Sequence, residues 1–388
     1  MADLPIALPL LKLGRLELDA GLRAIEPELS GSDLVVTATA EVPESESERQ
    51  HAWDVDWADA ARTAFEQGAA QSTAQALAVG AGNPLGRGVR VVVAAQGQAV
   101  LARWLPPGFA VASVQVGPLP RLLEVAAAAA RRPAHVVVLA DRDGASVIAH
   151  AAGDQGPGRL LAADDRPGAE RDPHPGRPPA LHHGERHQTG PEPDSGGERN
   201  AKFIAARAAD AAASVGAHVI LGAGDQHILD AVASHLPDSL GPVVTIDSGP
   251  VATDSDEQLG ARIDVALDGI TAAAISAVGD LIASAAEGPD PAAVRGIDAV
   301  AGQLAEQQVA VLLVAADIGQ EDDGGSYWIG QRPTEFLTGD SDSGVKVPLA
   351  DGLVWAALHQ DAIVVRLPDR SGPLAGEPVA ALLRRGRA

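Results

Sequence analysis

His135-Val136-Val137-Val138-Leu139-Ala140-Asp141-Arg142-Asp143-Gly144-Ala145 is the stretch on which the reading of this chain turns. Six residues with a β-branched run at their centre predict a buried strand. Asp-Arg-Asp-Gly supplies turn chemistry, and Ala145 to Ala151 returns as a partner strand. Upstream, Leu122 to Arg131 is a helix-like apolar run. Downstream, residues 153–197 lose all periodicity: 17 of these 45 residues are Gly or Pro. Such a stretch inside a domain is functional or disordered, and poor order is expected here in the free protein. Periodicity returns with a helix from about Glu198 to Val215, whose buried stripe is Ile204, Ala208, Ala211 and Val215. Strand His218–Gly222, helix Asp225–Leu236 and strand Val243–Ile246 follow, then a long helix from about Asp256 to Ala286. The order β–β–loop–α–β–α–β describes a mixed α/β domain.

Outward from this centre, Val35 to Ala40 alternates like a strand and Glu41 to Gln50 is an acidic, Ser-rich loop. Trp57 to Val79 has helical spacing, broken at Asn83-Pro84-Leu85-Gly86. Val89–Ala94 and Ala99–Trp104 flank Gln96-Gly97-Gln98 as a hairpin. Towards the C-terminus, Gly288-Pro289-Asp290-Pro291 marks a boundary, with Pro291 placed to open a helix to Gln307. A buried strand (Val309–Ala315), a polar insertion (317–344), a helix (Val347–Leu358), a strand (Ala362–Leu367) and Pro378–Leu383 complete an α-β-α sandwich. The expected architecture is a multidomain α/β (α+β) protein in three parts. These are an N-terminal α+β domain at 1–128, a middle α/β domain at 129–288 and a C-terminal domain at 289–388.

Composition narrows the chemistry. The 388 residues contain no cysteine, so disulfides, thiolate metal sites and a cysteine nucleophile are excluded. The formal net charge of −23 argues against indiscriminate nucleic-acid binding. Residues 130–207 are the exception, since they hold 11 basic and 11 acidic side chains and leave the negative charge to the rest of the chain. Aromatic residues are only 3%, so Ala, Val, Leu and Ile must build the core. The N-terminal residues lack a basic region and a sustained apolar run, and no segment reaches about 18 consecutive apolar residues. A soluble, cytoplasmic protein is expected.

Several residue patterns invite chemical readings that their context does not favour. His183 and His187 are four apart, but Gly184 and the surrounding prolines oppose the helix that would let them share a metal. Gly222-Ala223-Gly224-Asp225 joins a strand to a helix as a dinucleotide loop would, yet lacks the third glycine. No GxSxG elbow anchors a serine nucleophile. Asp141 with Asp143, and Asp322 with Asp323, read as solvated turn carboxylates before they read as a cation site. Ser195-Gly196-Gly197-Glu198-Arg199 stands out by position: two glycines meet a helix carrying Arg199, Lys202 and Arg207. Glycine lets a backbone approach a crowded partner or a phosphate closely. Glu198 also suits an ordinary helix N-terminus through the dipole.

The order of these elements resembles the archaeal and eukaryotic class-I release factor and Pelota superfamily. It is most similar to the bacterial members, which include actinobacterial proteins and the ribosome hibernation factor Balon. Pro118-Leu119-Pro120-Arg121-Leu122-Leu123 precedes the middle domain, and 135–145 is similar to its opening hairpin. Gly196-Gly197-Glu198-Arg199-Asn200-Ala201-Lys202-Phe203 stands where the superfamily's loop meets its long helix. Val364–Pro368 through Pro378–Arg384 resembles the last strands. The resemblance covers about residues 85–388.

That resemblance implies a protein that enters the ribosomal A site, its middle-domain loop reaching toward the peptidyl-transferase centre. In true release factors a Gly-Gly-Gln tripeptide there promotes attack of water on the peptidyl-tRNA ester. Here the triplet is Gly196-Gly197-Glu198, and a carboxylate among phosphates is repelled and alters any water's hydrogen bonding. An Asn-Ile-Lys-Ser-type codon-reading motif is missing from the first part. Both departures favour binding without hydrolysis, as in hibernation or rescue of idle or stalled ribosomes. The rRNA- or tRNA-facing residues implied are Arg177, Arg186, His187, Gly196, Gly197, Arg199, Lys202 and Arg207. Balon-like proteins suggest elongation factor Tu as a partner. No cofactor, metal or membrane is implied, and a monomer off the ribosome is expected. Two alternatives stand beside this one: a peptidyl-tRNA hydrolase or release factor acting through Gly196, Gly197 and Glu198, and an α/β ligand- or partner-binding protein unrelated to the ribosome.

Overall fold

The structure is a computed structural model. It describes residues 13–384 apart from 19, 26–33, 43–48, 85–87, 107–111, 141–144, 154–158, 164–194, 241, 248–255, 286–291, 320–325 and 340–343. The chain divides into two compact units, one of residues 1–133, 152–156 and 270–388, the other of residues 134–151 and 157–269.

The first unit opens with a short helix, α1 (Ala20–Arg23), and a four-stranded antiparallel sheet. Its strands are β1 (Val35–Glu41), β2 (Val89–Ala95), β3 (Gln98–Leu105) and β4 (Ser113–Gly117), in the order β3-β2-β1-β4. The predicted hairpin is present, and Gln96 (φ 50°) and Gly97 (φ 76°) form its two-residue turn. Both faces of the sheet are covered, which explains why β2 is apolar at every position except Arg90, whose guanidinium donates to the Gly80 carbonyl. Val36, Val92 and Ala94 face the helices α2 (Arg49–Glu66) and α3 (Gln71–Ala81), where Trp53 and Trp57 are buried edge-to-face at 5.6 Å. Val35, Val91 and Val93 face the opposite way, into the unit's largest core.

The single helix expected from Trp57 to Val79 is therefore two. Gly68 takes φ 99° just beyond Glu66, the Gly68 N–H bonds to the Phe65 carbonyl, and the Ala69 N–H reaches the Ala64 carbonyl. That is a glycine-terminated helix end, and it folds α3 back on α2. The end is set by backbone hydrogen bonds, which apolar periodicity does not register.

The second unit carries a five-stranded sheet in the order β7-β6-β5-β8-β9. The strands are β5 (His135–Ala140), β6 (Ala145–His150), β7 (Arg159–Ala163), β8 (Val219–Gly224) and β9 (Val243–Asp247). The helix preceding β5 in the chain, α4 (Leu123–Arg131), belongs to the first unit. β5, β8 and β9 are parallel, while β6 pairs antiparallel with both β5 and β7. Helices α5 (Ser195–Val215) and α6 (Gln226–His235) connect them. The expectation of a structureless 153–197 falls mostly outside the described residues. Where it can be compared, it is corrected: 159–163 pairs with β6, and the helix begins at Ser195 rather than Glu198. The long α7 (Asp256–Ala285) starts in the second unit and ends in the first.

The remainder of the first unit is a second mixed sheet, β10-β16-β11-β15. It contains β10 (Ala293–Arg295), β11 (Val309–Ala315), β15 (Ile363–Leu367) and β16 (Val379–Leu383). Helices α8 (Ile297–Ala305) and α9 (Leu349–Leu358) cover one face. The other face packs Val311, Leu313, Val365 and Leu382 against Ala274, Val278 and Ile282 of α7. Among the described residues α7 is long and apolar enough to cross a membrane by length and composition, but this stripe lies in the protein core. The helix expected to open at Pro291 is instead a strand followed by a shorter helix. Gly296 (φ 84°) turns the chain between them and its N–H bonds to the Val379 carbonyl. The polar insertion at 317–344 also holds order: β12 (Tyr327–Ile329) and β13 (Phe336–Thr338) form a small sheet with β14 (Val345–Lys346).

Two buried polar groups of the first unit give measurable consequences. The Gln360 side chain accepts from the Val309 N–H at 2.9 Å and donates to the carbonyls of Ala356 (3.2 Å) and Leu304 (3.3 Å). Gln360→Leu strands that N–H in the core, so urea unfolding should show a loss of about 1–3 kcal/mol. Asp351 is 7% exposed, and burial pushes its carboxyl up to about 6 although Arg121 at 3.6 Å pulls the other way. Between about pH 4 and 6 the folded protein holds a proton that the unfolded chain has released. The stability from this site is therefore complete below that window and is lost as pH rises through it. Asp351→Asn, which imitates the protonated form, should flatten that slope and raise unfolding free energy at neutral pH by about 1–2 kcal/mol.

Candidate nucleic-acid interface

The site expected from sequence is the start of α5. This helix of 21 residues buries Ala201, Ile204, Ala205, Ala208, Ala211 and Ala212, each at 1% exposure or less, against β5, β6 and β7. Alanine at nearly every inward position lets the helix axis lie close to the sheet, which a chain poor in aromatic residues requires. The opposite face carries Glu198, Lys202, Arg207 and Asp210, all exposed. The Arg207 guanidinium lies 5.3 Å from the Phe203 ring, which holds the long side chain along the helix surface.

Length places the first turn. At about 1.5 Å per residue α5 spans about 31 Å, whereas a six-residue strand such as β8 spans about 20 Å. The turn from Val215 to Val219 is short, so the surplus falls at the N-terminal end. Glu198 and Asn200 are exposed, and Ala201 is buried. Gly196 and Gly197 thus lie inside the first helical turn, not in a loop ahead of it. That turn offers backbone N–H groups with no intrahelical acceptor, and two residues without side chains leave them open to approach.

Of the residues singled out from sequence, Gly196, Gly197, Arg199, Lys202 and Arg207 share this one helix, and Glu198 stands among them. Arg177, Arg186 and His187 lie outside the described residues, as do Asp141, Asp143, Asp322, Asp323 and the histidines at 182 and 183. Among the described residues no group of three or more His, Asp or Glu side chains is placed to hold a metal ion. The early helix start had a signal that went unused: Ser195-x-x-Glu198 has the spacing of a capping box. Asn200, exposed in the same turns, was not singled out either.

Gly222-Ala223-Gly224-Asp225 is confirmed as a strand-to-helix turn, and its glycines have local work. A Cβ on Gly222 would stand 2.8 Å from Val243 Cγ1 and 3.0 Å from Leu229 Cδ2, so α6 and β9 pack closely on β8 at this glycine. Gly224 takes φ 122°, and the Asp225 carboxylate caps α6 by accepting from the His227 N–H at 3.0 Å. These contacts account for the motif without a dinucleotide.

Comparison with known proteins bears on this same unit. The sequence finds no match among curated proteins. Among solved structures, Pelota of Archaeoglobus fulgidus is 16% identical, with 76% of this chain and 80% of that chain covered and a TM-score of 0.31. An archaeal structure described as a model of ribosome-bound Pelota and ABCE1 is 13% identical over 95% of each chain, with a TM-score of 0.38. The archaeal translation termination factor aRF1 is 13% identical over 94% of this chain and 96% of that one, at 0.20. A family model matches residues 134–287, a span that takes in the whole second unit and all of α5. That model is described as bacterial archaeo-eukaryotic release factor family 2, and its match takes in 154 of the 388 residues.

Proposed function

We propose that this chain is a ribosome-binding translation factor homologue that occupies the A site of idle or stalled ribosomes without hydrolysing peptidyl-tRNA. One observation carries the reading: within the family match, Gly196-Gly197-Glu198 opens the overhanging helix α5. The glycine pair supports close approach of that helix end to a crowded RNA surface. Lys202 and Arg207, exposed on the same helix, supply cations that meet phosphate. The glutamate argues against release activity, because an exposed carboxylate accepts hydrogen bonds only, whereas an amide also donates.

The rest of the reading follows from the same resemblance. Residues 129–288 are the part directed at rRNA and tRNA, with Arg177, Arg186, His187, Arg199, Lys202 and Arg207 as contacts. Residues 1–128 and 289–388 are the flanking domains. Elongation factor Tu is the delivery partner proposed, the compartment is the cytoplasm, and the protein is a monomer off the ribosome.

Co-sedimentation with vacant 70S ribosomes over a salt series tests the binding. Affinity should fall as salt rises, and Arg199→Ala with Lys202→Ala should weaken binding about tenfold and reduce the log–log salt slope by about 1 for each lost phosphate contact. Absence of binding at low salt would sink the proposal. Hydrolysis is tested separately on ribosomes with peptidyl-tRNA in the P site. The native protein should release no peptide, and Glu198→Gln should leave ribosome affinity within about threefold, a change under 1 kcal/mol. Release by the native protein, lost on that substitution, would identify the hydrolase alternative instead.

A further inference from the structure

Several arginines of this acidic chain are neutralised by a carboxylate: Arg15 by Glu17 at 3.2 Å, Arg23 by Asp361 at 2.9 Å and Arg370 by Asp317 at 3.0 Å. Arg207 on α5 is different. Among the described residues it makes no ion pair, although Asp210 is exposed three residues further along the same helix, a spacing that suits one. Its guanidinium lies instead over the ring of Phe203, four residues back, at 5.3 Å from the ring centre.

Helix geometry explains the choice. Long side chains lean back toward the helix N-terminus, so Arg207 reaches the residue four before it more readily than the one three after it. A ring in that place attracts the cation through its π face. Phe203 is half-buried next to the buried Ile204 and Ala205, so packing restricts the ring that holds the arginine. The ring has no lone pair to offer, and the five N–H donors of the guanidinium are left for an acceptor outside the fold. Restrained in this way, a planar fork matches two oxygens of one phosphate and loses less freedom on contact than an unrestrained side chain.

We infer that Phe203 is a positioning residue for RNA: it presents Arg207 as a preset, two-pronged contact for a single phosphate of the nucleic acid that α5 meets. The inference rests on the ribosome reading above and deepens it, because it gives the two exposed cations of the helix separate tasks. Lys202 contributes a point charge on a flexible stem, whereas Arg207 contributes a directed fork. It also brings into the site an apolar residue that neither the charge pattern nor the Gly-Gly-Glu triplet marks as a contact.

The test measures the affinity of the full chain for vacant 70S ribosomes across a salt series. Phe203→Leu keeps an apolar side chain but removes the ring, and should weaken binding about threefold while the salt slope stays as it was, since no charge is lost. Phe203→Tyr retains the ring and should bind as the native chain does. Arg207→Ala should weaken binding and lower the slope by about 1, and adding Phe203→Leu to it should weaken binding no further. That last comparison also covers the case in which Phe203→Leu lowers the melting temperature: damage to the fold would persist in the Arg207→Ala background, whereas lost positioning would not. Three results would overturn the inference and leave the ribosome reading intact. They are native affinity in Phe203→Leu, a loss in Phe203→Tyr equal to that in Phe203→Leu, or the same loss reappearing in the Arg207→Ala background. Failure of the native chain to bind even at low salt would overturn the ribosome reading itself, and this inference with it.

Discussion

The burial of α4 is the constraint on which the first unit rests. Ala126, Ala127, Ala128, Ala129 and Ala130 are all at 2% exposure or less, an alanine rod enclosed on every side. It packs against β15 and also meets β3 and α9, so both sheets of the unit close on it. Such enclosure is possible only because no inward residue is larger than Val or Leu. Gly14 shows how close the approach is, since a Cβ there would fall 1.9 Å from the Ala129 carbonyl oxygen. Two polar links accompany the packing: Arg366 donates to Glu124 at 3.3 Å, and Arg121 faces Asp351. Burial raises the carboxyl pKa at both Glu124 and Asp351, so these links hold position at an electrostatic cost.

The second unit solves a different problem with the same small residues. Its alanine-faced helix α5 is longer than the strands it covers, so one end is carried past the sheet and the other is fixed by the turn into β8. The inward alanines anchor the helix from Ala201 onward, while Glu198 and Asn200 ahead of them are exposed. A rigid, buried shaft with an exposed end suits a group that must be delivered to a distant, crowded target. Lys202 and Arg207 are exposed, on the surface that packing leaves unused.

Both units are net negative, and only the segment 130–207 is balanced in charge. A chain of net charge −23 can meet RNA only through segments that lack the negative excess, and residues 130–207 are such a segment.

From sequence alone the strands β5, β6, β8 and β9, the helices α5 to α7 and the hairpin at Gln96-Gly97 could be read, because apolar period and turn chemistry are local properties. The Gly-Gly-Glu triplet and its basic neighbours were equally legible, since they need only position along a helix. What tertiary structure decided was non-local. Gly68 ended α2 through backbone hydrogen bonds that periodicity does not register. Ala293–Arg295 became a strand because β16 offered it a partner 87 residues downstream, at Ala380–Leu382. The glycines at 196 and 197, poor helix formers by themselves, joined α5 because the packed helix beyond them extends back through the turn. The exposure of Phe65 and Val55 was invisible in the sequence, where both look like core residues, and only the packing of Trp53 and Trp57 on the sheet left them facing outward.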